Sequence, residues 1–318
     1  MNWDPRHIER VVEVAHHSGA AARSRLAASW RRSLDHHGLD PGQRADVQRI
    51  SNKELSERRD RAGLFSRIAA RKLDSLYALV GNTGCGVLLT DDEGVVLDTR
   101  MSSSDQDAFE AWGLTPGSDW SEASEGTNGI GTCIAERRRV IIHRGDHFHA
   151  RNTAMSCIDA PVFGPKGELI GALDVSSARA DQTERINQLI AAQVEQAAQQ
   201  IELDLFRAAF PNARIIVADE SDSGAATLLA VDNDDLVLGA TRSARLIFGL
   251  EAVGEFRPVP ASDLFGREDG PTGFEKAERA AVIRALSRAN GNVSAAARAL
   301  GVGRATLYRR MKRLGIGE

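Results

Sequence analysis

"GNVSAAARALGVGRATLYRRMKRLGI" (residues 291–316) reads as two short helices around a tight turn, with cationic side chains crowded onto the second. Just before it, residues 274–289 carry apolar side chains at helical spacing (Ala281, Val282, Leu286, Ala289) and few breakers, which predicts a helix. Gly291 suits the end of that helix, because glycine enters the left-handed conformation of a helix C-terminus without strain. Asn292 suits the N-cap of the next helix, 293–300, where its side chain can accept a free backbone N–H. Val293, Ala296, Ala297 and Leu300 make one face of that helix small and apolar, so a neighbour can approach closely. Gly301-Val302-Gly303 supplies the turn, and 304–314 forms the last helix, anchored inward by Leu307, Met311 and Leu314. Two helices joined by a short glycine-containing turn form a helix-turn-helix unit.

The outer face of the last helix carries Arg304, Ala305, Thr306, Tyr308, Arg309, Arg310, Lys312 and Arg313. Arginine can grip a guanine edge in a bidentate way, so Arg304 and Thr306 at the N-terminal end are placed to meet bases. The later cations suit phosphates, which fix register without reading sequence. Charge agrees. From residue 275 to 318 there are ten Lys/Arg and three Asp/Glu, whereas the whole chain carries a formal net charge of −4. A small basic end on an acidic body implies a module that binds a polyanion. A solvated basic helical hairpin is the plain alternative.

The stretch resembles the Fis-type helix-turn-helix that ends bacterial enhancer-binding activators. The resemblance rests on Gly291-Asn292, Ala296-Ala297, Leu300-Gly301, Arg304 and Thr306-Leu307-Tyr308. It implies double-stranded DNA as partner, with Asn292 joining the residues of the last helix. Gly303 departs from the family, which places serine or asparagine there to cap the recognition helix. Glycine at a cap costs only a few tenths of a kcal/mol.

The remaining bounds are ordinary. With 318 residues, 42% hydrophobic and 26% charged, the chain has the composition of a globular protein of about two domains. No run approaches the roughly 18 apolar residues of a membrane span. The first nineteen residues are polar and include His16-His17, unlike a secretory signal. Three cysteines, Cys85, Cys133 and Cys157, cannot build a disulfide framework, so a reducing cytoplasm is expected.

Residues 1–60 read as a helical segment, basic in "RSRLAASWRRSL". "AGLFSRIAARKLDSLYALV" has helical spacing and leads into a hairpin, "CGVLLT" and "VVLDTR", turning at Asp91-Asp92-Glu93-Gly94. A loop rich in Ser, Gly and Trp precedes "GIGTCIAER", helical, and "RVIIHR", a strand. "MSCIDAPVFGPKGELIGALDVSS" is a second hairpin, turning at Pro165-Lys166-Gly167, and 181–210 is a long uninterrupted helix. Hairpins mixed with helices indicate an α+β fold around an antiparallel sheet.

The block 61–205 resembles a GAF sensor domain of the type found in acetoin-catabolism regulators. "SWRRSLDHHGLDP" upstream of the block, and "GVLLTDDEGVVLD", "WSEASEGTNGIGTCIAERRRVIIHRGDHFHARNTAMSCIDAPVF" and "GELIGALDVSS" within it, carry the likeness. It implies a small organic effector cupped between the sheet and the loops around residues 120–152. Trp120 would form an apolar wall, and Glu125, Asn128, His143 and His149 would fix orientation, with Cys157 beside them. "ATLLAVDNDDLVLGATRSARLIFGL", two strands and a helix, looks like a reduced PAS-like α/β insert within 206–270, which leaves 271–318 for the DNA reader.

Enhancer-binding activators normally carry a central ATPase, which needs a phosphate loop, G-x-x-x-x-G-K-[ST]. No such string occurs, and only about 70 residues separate the long helix from the helix-turn-helix. "EGTNGIGT" lacks the lysine that would meet phosphates, and no cofactor is expected. His143, His147, His149 and Cys157 could ligate zinc or iron, so a metal or redox sensor is a competing reading. Their spacing fits no established metal motif. A GAF-fold methionine sulfoxide reductase using the cysteines is a third reading, disfavoured by the attached DNA reader.

Along the long helix Ile186, Ile190, Val194, Ala197, Ile201 and Leu205 recur every three or four residues. Such a stripe suits a parallel coiled-coil seam or packing onto the chain's own sheet. A homodimer is expected, because helix-turn-helix readers meet two half-sites. RNA polymerase or a full-length activator are the further partners expected of a regulator without a motor.

Overall fold

The computed structural model describes residues 5–17, 19–43, 46–177, 179, 183–220, 226–265 and 273–316. They fall into two compact units, Met1–Ala261 and Ser262–Glu318. The first unit opens with α1 (Pro5–His16), α2 (Ala20–Arg23) and α3 (Arg25–Arg31), the last running into a π-helical turn over Arg32–His36. Next come α4 (Asn52–Arg61), capped by Ser51, and α5 (Gly63–Val80). The hairpin of β1 (Cys85–Thr90) and β2 (Val96–Arg100) leads to α6 (Gln106–Ala111), α7 (Glu122–Glu125) and α8 (Gly129–Glu136). Then follow β3 (Val140–His143), β4 (Ser156–Phe163), β5 (Leu169–Ser177) and α9 (Glu184–Ala209).

These five strands form an antiparallel sheet in the order β2-β1-β5-β4-β3. Successive strand residues face opposite sides, so Val87, Leu89, Ile158, Leu173 and Val175 turn to α5 and α9. Leu88 and Cys157 turn instead towards Trp120, Ile130 and Met155.

Of the apolar stripe on α9, Ile190, Val194, Ile201 and Leu205 are buried with Ala69, Leu73 and Leu76 of α5 and with the sheet. Covering a side chain of that size stabilises by about 1.5–3 kcal/mol. Of the two readings of this stripe, packing onto the chain's own sheet holds for its central residues, and Ile186 alone of the six stays exposed.

The N-terminal helices are built into the same unit. Trp30 is buried with Val11, Ala15 and Phe148, and its Nε1 donates to the Asp146 carbonyl at 2.9 Å. Arg32 grips Glu122 with two hydrogen bonds of 2.7 Å.

After α9 the chain forms β6 (Arg214–Glu220), β7 (Ala226–Val231), β8 (Leu236–Ala240), α10 (Arg242–Ile247) and β9 (Val259–Pro260), a second antiparallel sheet in sequence order. The two strands and the helix expected here are present. β6 and β9 are additions: "RIIVADE" ends in charged residues shortly after the long helix, and β9 has only two residues. The short α11 (Ala261–Leu264) follows.

The second unit holds α12 (Gly273–Arg288), α13 (Val293–Ala299) and α14 (Arg304–Arg313). Gly291 and Gly301 adopt φ of 78° and 66°, the left-handed conformation that ends each of the first two helices. Asn292 caps α13 by accepting from the Ala295 N–H at 3.1 Å, and Gly303 begins α14 with no side-chain cap.

Candidate DNA interface and the interior of the larger unit

The second unit separates apolar from charged side chains cleanly. Val282, Ala285, Ala296, Ala297, Leu307 and Leu314 form its core, with Val293, Leu300 and Met311 packed against it. On α14 this leaves Arg304, Ala305, Tyr308, Arg309, Arg310, Lys312 and Arg313 exposed and Thr306 half-buried. The Arg304 guanidinium lies over the Tyr308 ring at 5.6 Å, one turn on. Arg310 Nε stands 3.2 Å from Glu278 of α12, and Arg313 pairs with the same carboxylate. The cations of α14 therefore divide into Arg304, Arg309 and Lys312 on one hand and two guanidiniums held by an acid on the other.

The residues expected around an effector are placed differently from one another. Trp120 is buried and donates to the Gly113 carbonyl at 2.9 Å. Asn128 caps α8, accepting from Gly131 N–H at 2.8 Å, and its amide donates to the carbonyls of Trp120 and Gly126. Glu125 is buried against Arg151, 2.5 Å away, and burial raises its pKa in spite of that partner. His143 Nδ1 meets Ser156 Oγ at 2.6 Å and the Asn187 amide at 3.1 Å. His149 is buried edge-on to Phe148, and burial lowers it to about 4. These side chains brace the loops 120–152 rather than converge on one opening.

A buried polar chain runs beside them. His147 Nδ1 faces the Arg144 carbonyl at 3.0 Å, so the ring carries its proton there and Nε2 accepts from the Cys157 thiol at 3.3 Å. Ser176 Oγ lies 3.2 Å from that sulfur and 3.1 Å from Asp174 Oδ1. Asp174 is the cross-strand partner of Asp159, and both are fully buried at the centre of the sheet. Burial pushes Asp174 up to about 7, and burial together with Asp174 raises Asp159 well above the carboxylate range. Two carboxyls so placed cannot both ionise cheaply, so burial and their mutual repulsion favour the protonated form.

Comparison with known proteins adds to this geometry. A family model described as GAF domain matches residues 65–203, and one described as bacterial regulatory protein, Fis family, matches residues 273–314. The chain carries a GAF domain and a Fis-type helix-turn-helix. The acetoin catabolism regulatory protein of Cupriavidus necator is 33% identical over 273 residues, 82% of this chain and 40% of that protein. The acetoin dehydrogenase operon transcriptional activator AcoR of Bacillus subtilis is 26% identical over 181 residues, 55% of this chain and 29% of that protein. The chain thus spans less than half the length of these relatives. Among solved structures, the E. coli DhaR(N)–DhaL complex is similar with a TM-score of 0.53 and 14% identity, over 75% of this chain and 80% of that one. That likeness concerns the fold.

The GAF domain's cysteines are all buried and unpaired. Burial pushes the thiols of Cys133 and Cys157 well up and raises Cys85, so none is a ready thiolate nucleophile. His147 and Cys157 touch, but His143 turns to Ser156 and His149 to Phe148, and among the described residues no three His, Cys, Asp or Glu side chains gather as metal ligands. Among the described residues no helix is long and apolar enough to cross a membrane.

Beside a polar cleft of about 630 Å³ between α4 and the turn at Glu93, two further openings border the GAF domain among the described residues. One, of about 160 Å³, lies between α3 and α8, with Ser29, Thr127 and Thr132 on its wall. The other, of about 280 Å³, lies between β4, α9 and α10. The first of these two borders the loops 120–152 where an effector was expected, through Thr127, Thr132 and Asp146, although none of the six residues named for that pocket lines it. The second opening and the acids Asp159, Asp174 and Glu202 were not foreseen. A lone acid within an apolar strand, as in "SCIDAPVF" and "GALDVSS", was the signal available for the aspartates.

Proposed function

We propose that the protein is a DNA-binding transcription regulator that reads an operator as a dimer through α14, and whose affinity for DNA is set by a small organic molecule bound beside its GAF domain. The observation that carries the DNA reading is the separation of Leu307 and the C-cap Leu314 inward from Arg304, Arg309 and Lys312 outward along α14. Arg304 and Thr306, at the N-terminal end, are assigned to base edges, and Arg309 and Lys312 to phosphates. The names of the relatives, a catabolism regulator and an operon activator, support regulation of transcription.

Dimerisation is assigned to the outer side of α5 and α9. Lys72 of α5 reaches Gln200 and Asp204 of α9, so the two helices lie side by side. Leu79, Ile186 and Leu189 are exposed there, at 65%, 42% and 71%.

No phosphate-loop string stands between the GAF domain and the helix-turn-helix. The protein accordingly acts by occupancy in the cytoplasm and not as an enzyme: it represses, recruits the ordinary polymerase, or pairs with a full-length activator. The test is selection of bound sequences from random DNA, followed by titration of the selected site. Arg304→Ala should lose about 1–3 kcal/mol on that site and relax preference at one base position. Arg309→Ala should weaken selected and random DNA alike. Equal losses from both substitutions on both DNAs would refute the assignment of roles.

A further inference from the structure

We propose that the opening between β4, α9 and α10 is the effector site, and that it takes a small monoanion, a carboxylate joined to an apolar body. The inference rests on the reading of the protein as an effector-controlled regulator and names the site and the ligand class.

Its volume, about 280 Å³, lies just below the range of drug-sized pockets, roughly 300–1,000 Å³, and suits a small ligand. Ala160, Pro161 and Phe163 of β4 and Ala198 of α9 give it an apolar lining, with Leu246 of α10 exposed at its edge. The rim is cationic, with three successive arginines, 137–139, on one side and Arg242 on the other. Two of these charges are met within the protein: Arg138 pairs with Glu136 at 2.6 Å and Arg139 with Glu195 at 3.0 Å. Among the described residues Arg137 and Arg242 have no carboxylate within ion-pair distance.

Arg242 is also held in a useful pose. Its guanidinium lies over the Phe163 ring at 4.4 Å, which occupies the flat face and leaves the N–H edge for a planar anion. Arg137 sits in the left-handed conformation, φ 51°, at the end of α8, where the chain turns to lay the arginines along the opening. Non-glycine residues in that conformation are uncommon and gather at ligand sites.

Glu202 of α9 lies beneath this rim. It accepts the Phe163 N–H at 2.9 Å, and burial holds its carboxyl up to about 7. Arg242 of α10 is the charged group that acts on it, and Arg137, Arg138, Arg139 and Glu195 are the other charged groups lining the same opening. Protonated, Glu202 removes the negative charge that would repel the ligand. Anion affinity should therefore fall as pH rises through 7. Because the ligand would touch α9, β4 and α10 together, it would fix the second sheet against the first within the unit Met1–Ala261.

The test uses the full chain and six probes: benzoate, phenylacetate and hexanoate, with benzyl alcohol, 2-phenylethanol and hexanol as neutral counterparts. Calorimetry at pH 6.5 should show saturable binding of at least one acid and none of its alcohol. Arg242→Ala should weaken that acid at least tenfold, and Glu202→Gln should keep binding while flattening its decline between pH 6 and 8. Absence of saturable binding by every acid, equal binding of acid and alcohol, or unchanged binding by Arg242→Ala would overturn the proposal. Each of those results would leave sequence-selective DNA binding untouched, whereas failure of the regulator reading would appear as loss of that selectivity.

Discussion

Neutralising Glu278 should strengthen DNA binding. Its carboxylate, about one-fifth exposed, holds Arg310 and Arg313, whose side chains are 44% and 59% exposed. Ion pairs this open stabilise a fold by about 0–1 kcal/mol each, so Glu278→Gln should lower stability of the second unit only slightly. The later cations of α14 are expected to meet phosphates, and for Arg310 and Arg313 the Glu278 carboxylate would then compete with those phosphates. Removing the competitor should gain about 0.5–1.5 kcal/mol, roughly a two- to tenfold tighter complex. The gain should be equal on operator and random DNA, because phosphate contacts carry no sequence information. Fluorescence anisotropy at several salt concentrations measures it, with the melting transition as a control on folding. Weaker binding by a variant that melts like the native protein would refute the reasoning, since it would make Glu278 a brace for α14 and not a competitor.

Val194→Asp, which puts an unpaired charge among Leu73, Val87 and Val175, should cost several kcal/mol and unfold the GAF domain. Leu189→Asp, at an exposed position, should leave the melting temperature within a few degrees and raise the dimer dissociation constant in analytical ultracentrifugation. Asp174 keeps its proton to about pH 7 in the folded protein, whereas the unfolded chain releases it near 4. The stability it supplies is complete below about 4 and is lost as pH rises through 7. Asp174→Asn cannot titrate, so its melting temperature relative to the native protein should climb from pH 5 to pH 8. His147 and His149, held neutral down to about 4 by burial, act with the opposite sign in both proteins and cancel in that difference.

The last forty residues were legible because each of their decisions is local. Gly291, Asn292 and Gly301 set helix ends through their own backbone and side chain, and Leu307, Met311 and Leu314 repeat at helical period. The hairpins of the GAF domain were legible for the same reason. What the sequence hid depends on distant partners. The α9 stripe has the period of a coiled-coil seam, yet only the position of α5 and the sheet decides that it is core. Trp120, Glu125 and Asn128 looked like pocket residues because polar and aromatic side chains in a glycine-rich loop serve binding or bracing equally well. Asp159 and Asp174 become neighbours through strand pairing alone, and Glu202 meets Arg242 only once the second sheet is formed. Lone acids on otherwise apolar faces were the trace these pairs left.

The central claim is that α14 reads DNA sequence. Mapping all bound sites in the genome, at physiological salt, tests it most directly. The account predicts discrete peaks that share an inverted repeat with half-site centres about one helical turn apart, and loss of the shared motif with Arg304→Ala. Uniform occupancy without a common sequence, unchanged by Arg304→Ala, would contradict it.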